Sequence, residues 1–430
     1  MEQAYGRSAV SDPGSVGHST NHRSYATLTT VLAYWPTVKR LHPLDWVAAL
    51  LLACGLLFLA TGLLPTASAE AAVSRIAPLL AFLGTVIVLA ELTSAAEVFD
   101  VLAAGVARTA RGSYPALFLL CVALASVTTI TLNLDTTAVL LTPVMLALAS
   151  RVGIAPLPLA MTTVWLANTA SLLLPVSNLT NLLAAERVAL SPAGLARVMW
   201  APQLAAGLVT MACLWGFYWR RGRRGAVDYR PPPAHRPADR VLFRICALTC
   251  AGFLLASLLA DLPLWVASGA AALVAVVAFA VRRPEALRTS LVPWRLLVMV
   301  PGMFLVVQTV DAHGLHRVLA AAIGTDGGVL GMFRASAVGG GLSNLLNNLP
   351  VYLAGEAAVP AANHQQLLAL LIGTNIGPLV TPWASLATLL WYERCRSAGL
   401  RVPLRSVAAT SAVLAVGGVA LATAALVLTA

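Results

Sequence analysis

Long runs of apolar residues, separated by short polar or basic stretches, organise this chain. A membrane-spanning helix needs about 20 consecutive, mostly apolar residues. Several runs meet that requirement: residues 46–64, 76–93, 198–219, 241–260, 263–281, 294–310 and 402–428. The pattern therefore predicts an all-α polytopic membrane protein, with two short amphipathic surface helices at 95–112 and 311–324.

Four further apolar regions contain a polar centre. Residues 114–150 and 329–358 have an apolar arm on each side of that centre, which predicts two re-entrant hairpins. Residues 157–188 and 367–391 are long spans interrupted by Asn, Pro, Ser and Thr, which predicts two broken transmembrane helices. Because unpaired backbone groups in lipid cost several kcal/mol each, protein or a cavity must surround all four breaks.

The two halves of the chain resemble each other. The matched runs are Trp-Val-Ala at 46–48 and 265–267, Val-Leu-Ala-Ala at 101–104 and 318–321, and an Asn-to-Pro segment at 168–175 and 375–382. Their common order at a slowly drifting offset predicts an internal repeat.

Basic residues place the tail and the central linker in the cytoplasm. The domains are then a cytoplasmic tail (1–43), a first transmembrane repeat (44–219), a basic, Pro-rich cytoplasmic linker (220–240) and a second repeat (241–430). Four crossings in the first half return the chain to the cytoplasm, so the helix at Trp46 runs outward and its counterpart near Trp265 runs inward. We therefore predict inverted repeats in the plasma (inner) membrane, with nine or ten crossings. The count depends on whether residues 26–38 form a further membrane segment.

Composition agrees with this architecture. Hydrophobic residues make up 59% of the chain, charged residues only 10%, and the mean hydropathy is +0.82. A soluble domain has about 25% charged residues. The net charge of +11 arises from basic residues between apolar segments, so the sequence predicts no nucleic-acid partner. It also predicts no cofactor and no metal site.

The paired polar breaks predict a solute-binding site at mid-membrane. Converging helix ends would present positive dipole ends and free carbonyls to a solute. The alternative is that these side chains only bond helices to one another. The candidate solute-binding residues are Asn133, Asp135, Thr136, Thr137, Asn168, Ser177, Asn178, Thr180, Asn181, Asn344, Asn347, Asn348, Asn375, Gly377, Thr381, Ser385 and Thr388.

Acidic residues inside the membrane are the next indication, since a buried charge is expensive and usually functional. Asp135 lies at a hairpin tip and is the first candidate for proton or cation coupling. Glu91 is the second candidate, although it could equally lie among lipid headgroups. The four polar segments contain no Arg or Lys. That composition suits a neutral hydroxylated solute, or an anion held by helix dipoles and a co-bound cation.

Residues 373–391, 347–354 and 133–143 resemble motifs of the ArsB-type arsenite permeases of the ion transporter superfamily. The resemblance covers roughly residues 45–428. It implies two hairpins and two broken helices around a central site, and export of arsenite or antimonite as a neutral trihydroxide in exchange for protons. The superfamily also contains sodium-coupled carriers of dicarboxylates and sulfate. One departure is that Leu134 separates Asn133 from Asp135, which are adjacent in that family's usual first hairpin.

The leading interpretation is a secondary transporter that exports arsenite or antimonite against protons. The alternative is a sodium- or proton-coupled carrier of a dicarboxylate or another inorganic anion. A membrane-embedded enzyme is a remote third reading, because no His-Glu-x-x-His motif is present. Expected partners are the small inorganic solute, the coupling proton or sodium ion, and the lipid bilayer. A soluble ATPase subunit, which some members of the resembled family use, or a second copy of the chain is left open.

Overall fold

The long apolar runs form single helices, because a helix satisfies its own backbone donors and acceptors, as lipid requires. The computed structural model describes residues 43–220, 222, 229, 231, 233–259 and 262–429. The predicted tail, apart from its last residue, the segment 26–38 and part of the linker lie outside these ranges. All secondary structure in the described residues is helical.

The first half contains helices α1 to α8. They are α1 (Pro43–Ala60), α2 (Thr66–Ala95), α3 (Val98–Thr109), α4 (Tyr114–Thr131), α5 (Leu134–Val152), α6 (Pro156–Thr169), α7 (Leu179–Arg187) and α8 (Pro192–Trp219). Helices α5 and α8 each contain one π-type turn, at Thr137–Leu141 and Trp215–Trp219.

The second half contains helices α9 to α17. They are α9 (Arg240–Leu259), α10 (Leu264–Arg282), α11 (Trp294–Ala312), α12 (Leu315–Ile323), α13 (Val329–Leu346), α14 (Asn348–Ala358), α15 (His364–Ile376), α16 (Leu386–Ser397) and α17 (Leu404–Thr429).

The predicted hairpins and broken helices are present at the predicted places. Helices α4 and α5 form the first hairpin and α13 and α14 the second, while α6–α7 and α15–α16 are the broken helices. Helices α10 to α17 therefore repeat the order of α1 to α8. The largest boundary difference is that α2 begins at Thr66 rather than at residue 76, because the intervening Ala-rich segment favours helix although it contains Glu70 and Arg75. Helix α8 likewise begins at Pro192 rather than at residue 198.

The two broken helices run antiparallel to each other. Helix α6 packs against α16, and α15 packs against α7. Trp391 of α16 donates a hydrogen bond to the Ala160 carbonyl of α6 at 2.8 Å. Near the breaks, Asn168 donates to Thr388 at 3.4 Å. The first arm of each broken helix thus lies beside the second arm of the other, as inverted repeats require.

The remaining helices of the two halves interlock in the same manner. Helix α10 packs against α2, and α8 packs against α17. In the equivalent pairing, α1 approaches α11 so closely that a Cβ added to Gly302 would lie 2.4 Å from the Leu52 nitrogen. The halves therefore share one helical core.

Small residues allow close contact between α13 of the second hairpin and α15 of the second broken helix. A Cβ added to Gly373 would lie 2.1 Å from the Ser336 carbonyl oxygen. One added to Gly377 would lie 2.3 Å from the Cα of Gly340. Backbones at this distance are typical of membrane helix pairs with glycine at the interface.

Helices α2 and α11 each contain an interior proline, Pro78 and Pro301. Each proline lacks the N–H that a helix uses to bond the carbonyl four residues earlier. The two helices contact each other and occupy corresponding places in the two halves.

The described part of the linker binds to one end of the helix layer, which we call the linker end. His235 lies 2.6 Å from Glu97, which follows α2, and the Tyr229 hydroxyl donates to the Ala107 carbonyl of α3. Asp239 accepts from Arg282 at 2.9 Å. That bond and the N–H groups of α9 lower the pKa of Asp239, which lies outside the spans.

Within the described residues, seven helices are long and apolar enough to cross a membrane. They are Thr66–Ala95, Tyr114–Thr131, Leu134–Val152, Pro192–Trp219, Leu264–Arg282, Thr289–Ala312 and Leu404–Thr429. The chain is a multi-span membrane protein. This count is not the number of crossings, because it includes both arms of the re-entrant first hairpin and leaves out the broken helices, whose arms are too short. Nine or ten crossings therefore stay a prediction.

Candidate functional site

Four helices begin at the polar breaks, namely α5, α7, α14 and α16. Each is capped by the side chain of the residue that precedes it. The caps are Asn133, Asn178, Asn347 and Ser385, whose oxygens accept backbone N–H groups at 2.7, 3.3, 3.3 and 3.1 Å. Asn and Ser are favoured at this position, because they satisfy a donor that the helix leaves free. The polar breaks are therefore helix starts.

A cavity of about 50 Å³ lies where these four helices begin. It is lined by Leu134, Asp135, Asn178, Leu179, Asn347, Asn348, Leu349 and Leu386, and by Leu79 of α2 and Met303 and Phe304 of α11. Each helix start carries roughly half a positive charge. A single water needs only about 10–15 Å³ of such space, so the cavity has room for a small solute.

Asp135 is the one ionisable side chain among the described residues that line the cavity. Its Oδ1 atom is buried and has no hydrogen-bond partner in the described part of the chain. Buried polar atoms in proteins are nearly always bonded, so an exception needs an explanation. A solute or a proton on this oxygen would provide one.

Asn375, the penultimate residue of α15, holds the two broken helices together. Its Oδ1 accepts from Asn178 at 3.0 Å and from Thr180 at 2.7 Å. Its Nδ2 donates to Asn181 at 2.7 Å. Asn181 in turn donates to the Ser171 and Leu174 carbonyls of the first break, at 2.6 and 2.9 Å. This buried network fixes the start of α7 beside the end of α15.

Asn344 and Asn347 of the second hairpin bind the second break. Asn344 donates to the Gly377 carbonyl at 2.8 Å and accepts from Val380 and Thr381 nitrogens at 2.9 and 3.3 Å. Thr381 donates back to the Asn344 carbonyl at 2.7 Å. Asn347, which has a φ of 88°, donates to the Trp383 carbonyl at 2.8 Å. Five hydrogen bonds thereby join the hairpin to the break.

In the first hairpin, Thr137 donates to the Asn133 carbonyl at 2.9 Å. Ser177 in the first break donates to the Ile130 carbonyl of α4 at 3.0 Å. The Thr136 hydroxyl is buried and has no partner in the described residues. The Thr137 and Ser177 bonds secure the hairpin tip that carries Asp135.

The predicted site residues thus divide into two groups. Four of them line the cavity: Asp135, Asn178, Asn347 and Asn348. The others support the helix starts, the breaks and their contacts: Asn133, Thr136, Thr137, Asn168, Ser177, Thr180, Asn181, Asn344, Asn375, Gly377, Thr381, Ser385 and Thr388. Asn178 and Asn347 belong to the cavity and to its support.

Glu91 does not line the cavity. It accepts a hydrogen bond from Arg394 of α16 at 2.8 Å, and the Arg394 side chain is only 6% exposed. Arg394 is eight residues beyond the start of α16 at Leu386. Glu91 itself lies near the end of α2 that precedes Glu97, the linker contact. The pair therefore lies beside the cavity on the side of the linker end.

Sequence reasoning missed several residues around the site. The apolar wall of Leu79, Met303 and Phe304 gave no signal, because such residues occur throughout a membrane helix. Gln203 could have been found, since it is a lone amide in the apolar helix α8. It accepts from the Leu172 nitrogen and donates to the Thr169 carbonyl, both at 3.0 Å, and so satisfies the first break.

Residues 35–388 match the model of the citrate transporter family CitMHS. The chain is similar to an arsenical pump membrane protein of Yersinia enterocolitica, at 30% identity over 391 residues, which cover 86% of this chain and 89% of the relative. An arsenical pump membrane protein of Escherichia coli is 30% identical over 329 residues, 71% of this chain and 76% of that one. The crystal structure of the Alcanivorax borkumensis YdaH transporter aligns with a TM-score of 0.47 and 16% identity, over 90% of this chain and 97% of that one.

Proposed function

Because this chain belongs to the citrate transporter family, and is therefore a membrane transporter of a small solute, we propose that it exports arsenite or antimonite in exchange for protons. The relatives at 30% identity carry the name arsenical pump membrane protein, which supports this choice within the family. The site chemistry supports it independently.

The observation that carries the proposal is the composition of the cavity wall. Among its described residues it offers one carboxylate and several amides, and no Arg, Lys or His. A neutral trihydroxide suits such a wall, because its hydroxyls can donate to Asp135 and accept from the Asn348 amide. A citrate trianion would bring its charges beside Asp135 in a small cavity without a basic side chain.

Competition at Asp135 would couple the solute to protons. The ionised carboxylate accepts a hydrogen bond from a solute hydroxyl, whereas the protonated carboxyl is a poorer acceptor and already carries a donor. A proton that arrives at Asp135 would thus favour release of the solute, and loss of that proton would favour binding. Exchange of solute for protons follows if the solute hydroxyl and the proton occupy the Asp135 carboxylate in turn.

The four converging helix starts favour a second candidate, a sodium- or proton-coupled carrier of a small anion. Positive helix ends stabilise anions without any basic side chain. A co-bound cation at Asp135 would then neutralise the carboxylate. This candidate predicts binding that depends on sodium or on protons moving in the same direction as the anion.

Inverted membrane vesicles that contain the full-length chain separate the two candidates. We expect an imposed proton gradient, acidic inside, to drive accumulation of arsenite, and a protonophore to abolish it. Labelled citrate and succinate, with and without sodium, are the comparison solutes. Accumulation of either carboxylate without accumulation of arsenite would overturn the proposal and favour the anion carrier.

A further inference from the structure

A second, larger cavity of about 460 Å³ lies beside the central one. Its polar wall is formed by Ser74 of α2 and by Gln308 and Asp311 of α11. Ser74 lies in the first third of α2, whereas the linker binds Glu97 just beyond the other end of that helix. This vestibule is therefore on the side of the central cavity opposite the linker end.

Phe304 is the residue that the walls of the vestibule and the central cavity have in common. It lines both spaces and is only 9% exposed. Its neighbour Met303 also lines the central cavity, and methionine can repack easily because its side chain is flexible. A change of the Phe304 side-chain rotamer would therefore join the two spaces.

The path from the central cavity toward the linker end is closed over a much longer distance. Leu83, Val86, Ile87 and Ala90 of α2 follow Leu79 in that direction and are fully or almost fully buried. The Glu91–Arg394 ion pair lies beyond them. The Phe304 ring is shared by the two cavities on one side, whereas several packed layers lie on the other.

The vestibule has its own chemical character. Asp311 places a buried carboxylate oxygen in its wall, and this oxygen lies 3.9 Å from the His316 imidazole. Gln308 adds an amide that can donate and accept. Such a wall suits a neutral hydroxylated solute or a cation. It disfavours an anion, because the carboxylate repels like charge.

We propose that the vestibule is a second solute subsite, which receives the neutral solute on its way between the central cavity and the membrane face opposite the linker, and that Phe304 is the gate between the two. The identity of the solute rests on the proposed function. The path itself does not, because it follows from the two cavities and the ring that they share.

Cysteine labelling with a membrane-impermeant maleimide tests the path without any solute. Ser74→Cys and Leu83→Cys form a matched pair, five residues before and four residues after Leu79 on α2. The experiment uses the full-length chain in sealed vesicles of both orientations, subtracts the labelling of the unsubstituted protein, and identifies the linker face with Arg236→Cys. We expect Ser74→Cys to react from the face opposite the linker and Leu83→Cys to react from neither. Equal labelling of the two, or labelling of Ser74→Cys from the linker face, would overturn the path.

The gate is tested in the same vesicles. Leu134→Cys reports on the central cavity, and we expect Phe304→Ala to raise its labelling rate at least ten-fold. Phe333→Ala, in a separate groove between α13 and α17, is the control and should leave that rate unchanged. An equal effect of the two substitutions, or none, would show that Phe304 is no gate.

Arsenite export tests the subsite. Asp311→Asn should lower export at least five-fold through a raised KM, with rescue by Asp311→Glu. Asp326→Asn, in an exposed loop, should have no effect. Unchanged export by Asp311→Asn would remove the subsite. If the unsubstituted chain exports no arsenite, the proposed function is wrong. The labelling experiments use no solute, so they still test the path and the role of Phe304 as its gate.

Discussion

Asn178 donates a hydrogen bond to Asn375 over 3.0 Å, although the two residues are 197 positions apart in the sequence. The bond joins the cap of α7 to the end of α15, and Thr180 and Asn181 bind the same Asn375 amide. Two broken helices from different halves are therefore held at the level of their breaks by one side chain.

Replacement of Asn375 by alanine should lower both stability and transport. The change leaves three buried polar side chains without this partner, and each such group costs about 1–3 kcal/mol. We expect a lower thermal midpoint in detergent and a loss of export of at least ten-fold. Gln365→Ala, at an exposed position near the start of the same helix, is the matched control. Full export by Asn375→Ala would mean that the network has no part in forming the site.

Asp135→Asn should uncouple transport from protons. The amide keeps the size of the carboxyl group but cannot take up the coupling proton. We expect proton-driven arsenite export in inverted vesicles to fall at least ten-fold, and the residual flux to lose its dependence on pH. Asp326→Asn should behave as the unsubstituted protein does. Undiminished, pH-dependent export by Asp135→Asn would exclude Asp135 from the mechanism.

Gly373→Ala should separate α13 from α15. The added Cβ would lie 2.1 Å from a backbone oxygen, which cannot move without the helix. Overpacking of this kind costs about 1–3 kcal/mol. Gly341→Ala is the matched control on α13, because a Cβ there meets nothing within 4 Å. Thermal unfolding of the two purified variants gives the comparison, and equal midpoints would contradict the close packing.

Ser385→Ala and Ser191→Ala remove the same kind of helix cap at two places. Ser385 caps α16 at the cavity, and Ser191 caps α8 at the surface. Each loss should lower the unfolding free energy by about 1 kcal/mol. Only Ser385→Ala should also raise the KM for the solute, since it loosens a helix start that lines the site. A raised KM in both variants would indicate a general effect of stability.

The Glu91–Arg394 pair offers a direct test of whether Glu91 couples transport or only supports the fold. Glu91→Gln leaves the buried Arg394 charge unpaired, which costs up to about 3–5 kcal/mol for a fully buried pair and less here, because Glu91 is 31% exposed. If the role is structural, the double variant Glu91→Gln with Arg394→Met should recover the thermal midpoint and export. Recovery of the midpoint without export would instead place Glu91 in coupling, as the sequence suggested.

Much of this fold was predictable from residue patterns. In lipid an interrupted helix leaves costly unpaired backbone groups, so interruptions are rare and easy to recognise in the sequence. The polar breaks at Asn133, Asn178, Asn347 and Ser385 could therefore be predicted. The hairpins, the broken helices and the resemblance to arsenite permeases are confirmed. The expectation of export against protons stays a prediction.

The sequence could not show which of the predicted site residues line the cavity and which only support it. Asn178 and Asn181 look alike in the sequence, yet Asn178 lines the cavity, whereas Asn181 binds the carbonyls of the first break. Which of two similar side chains faces a cavity depends on the rotation of each helix start, and tertiary packing sets that rotation. The Glu91–Arg394 pair could not be predicted for a different reason, because its members lie 303 positions apart and only tertiary packing brings them together.

The interior prolines of α2 and α11 interrupt the helical hydrogen bonds at two places in the same way. Pro78 deprives the Ser74 carbonyl of its helical donor, and Pro301 does the same to the Leu297 carbonyl. Ser74 lies in the vestibule, whereas Leu297 precedes Phe304 by seven residues on the linker side. The two repeats thus place one carbonyl without its helical donor on the vestibule side of the central cavity and one on the linker side.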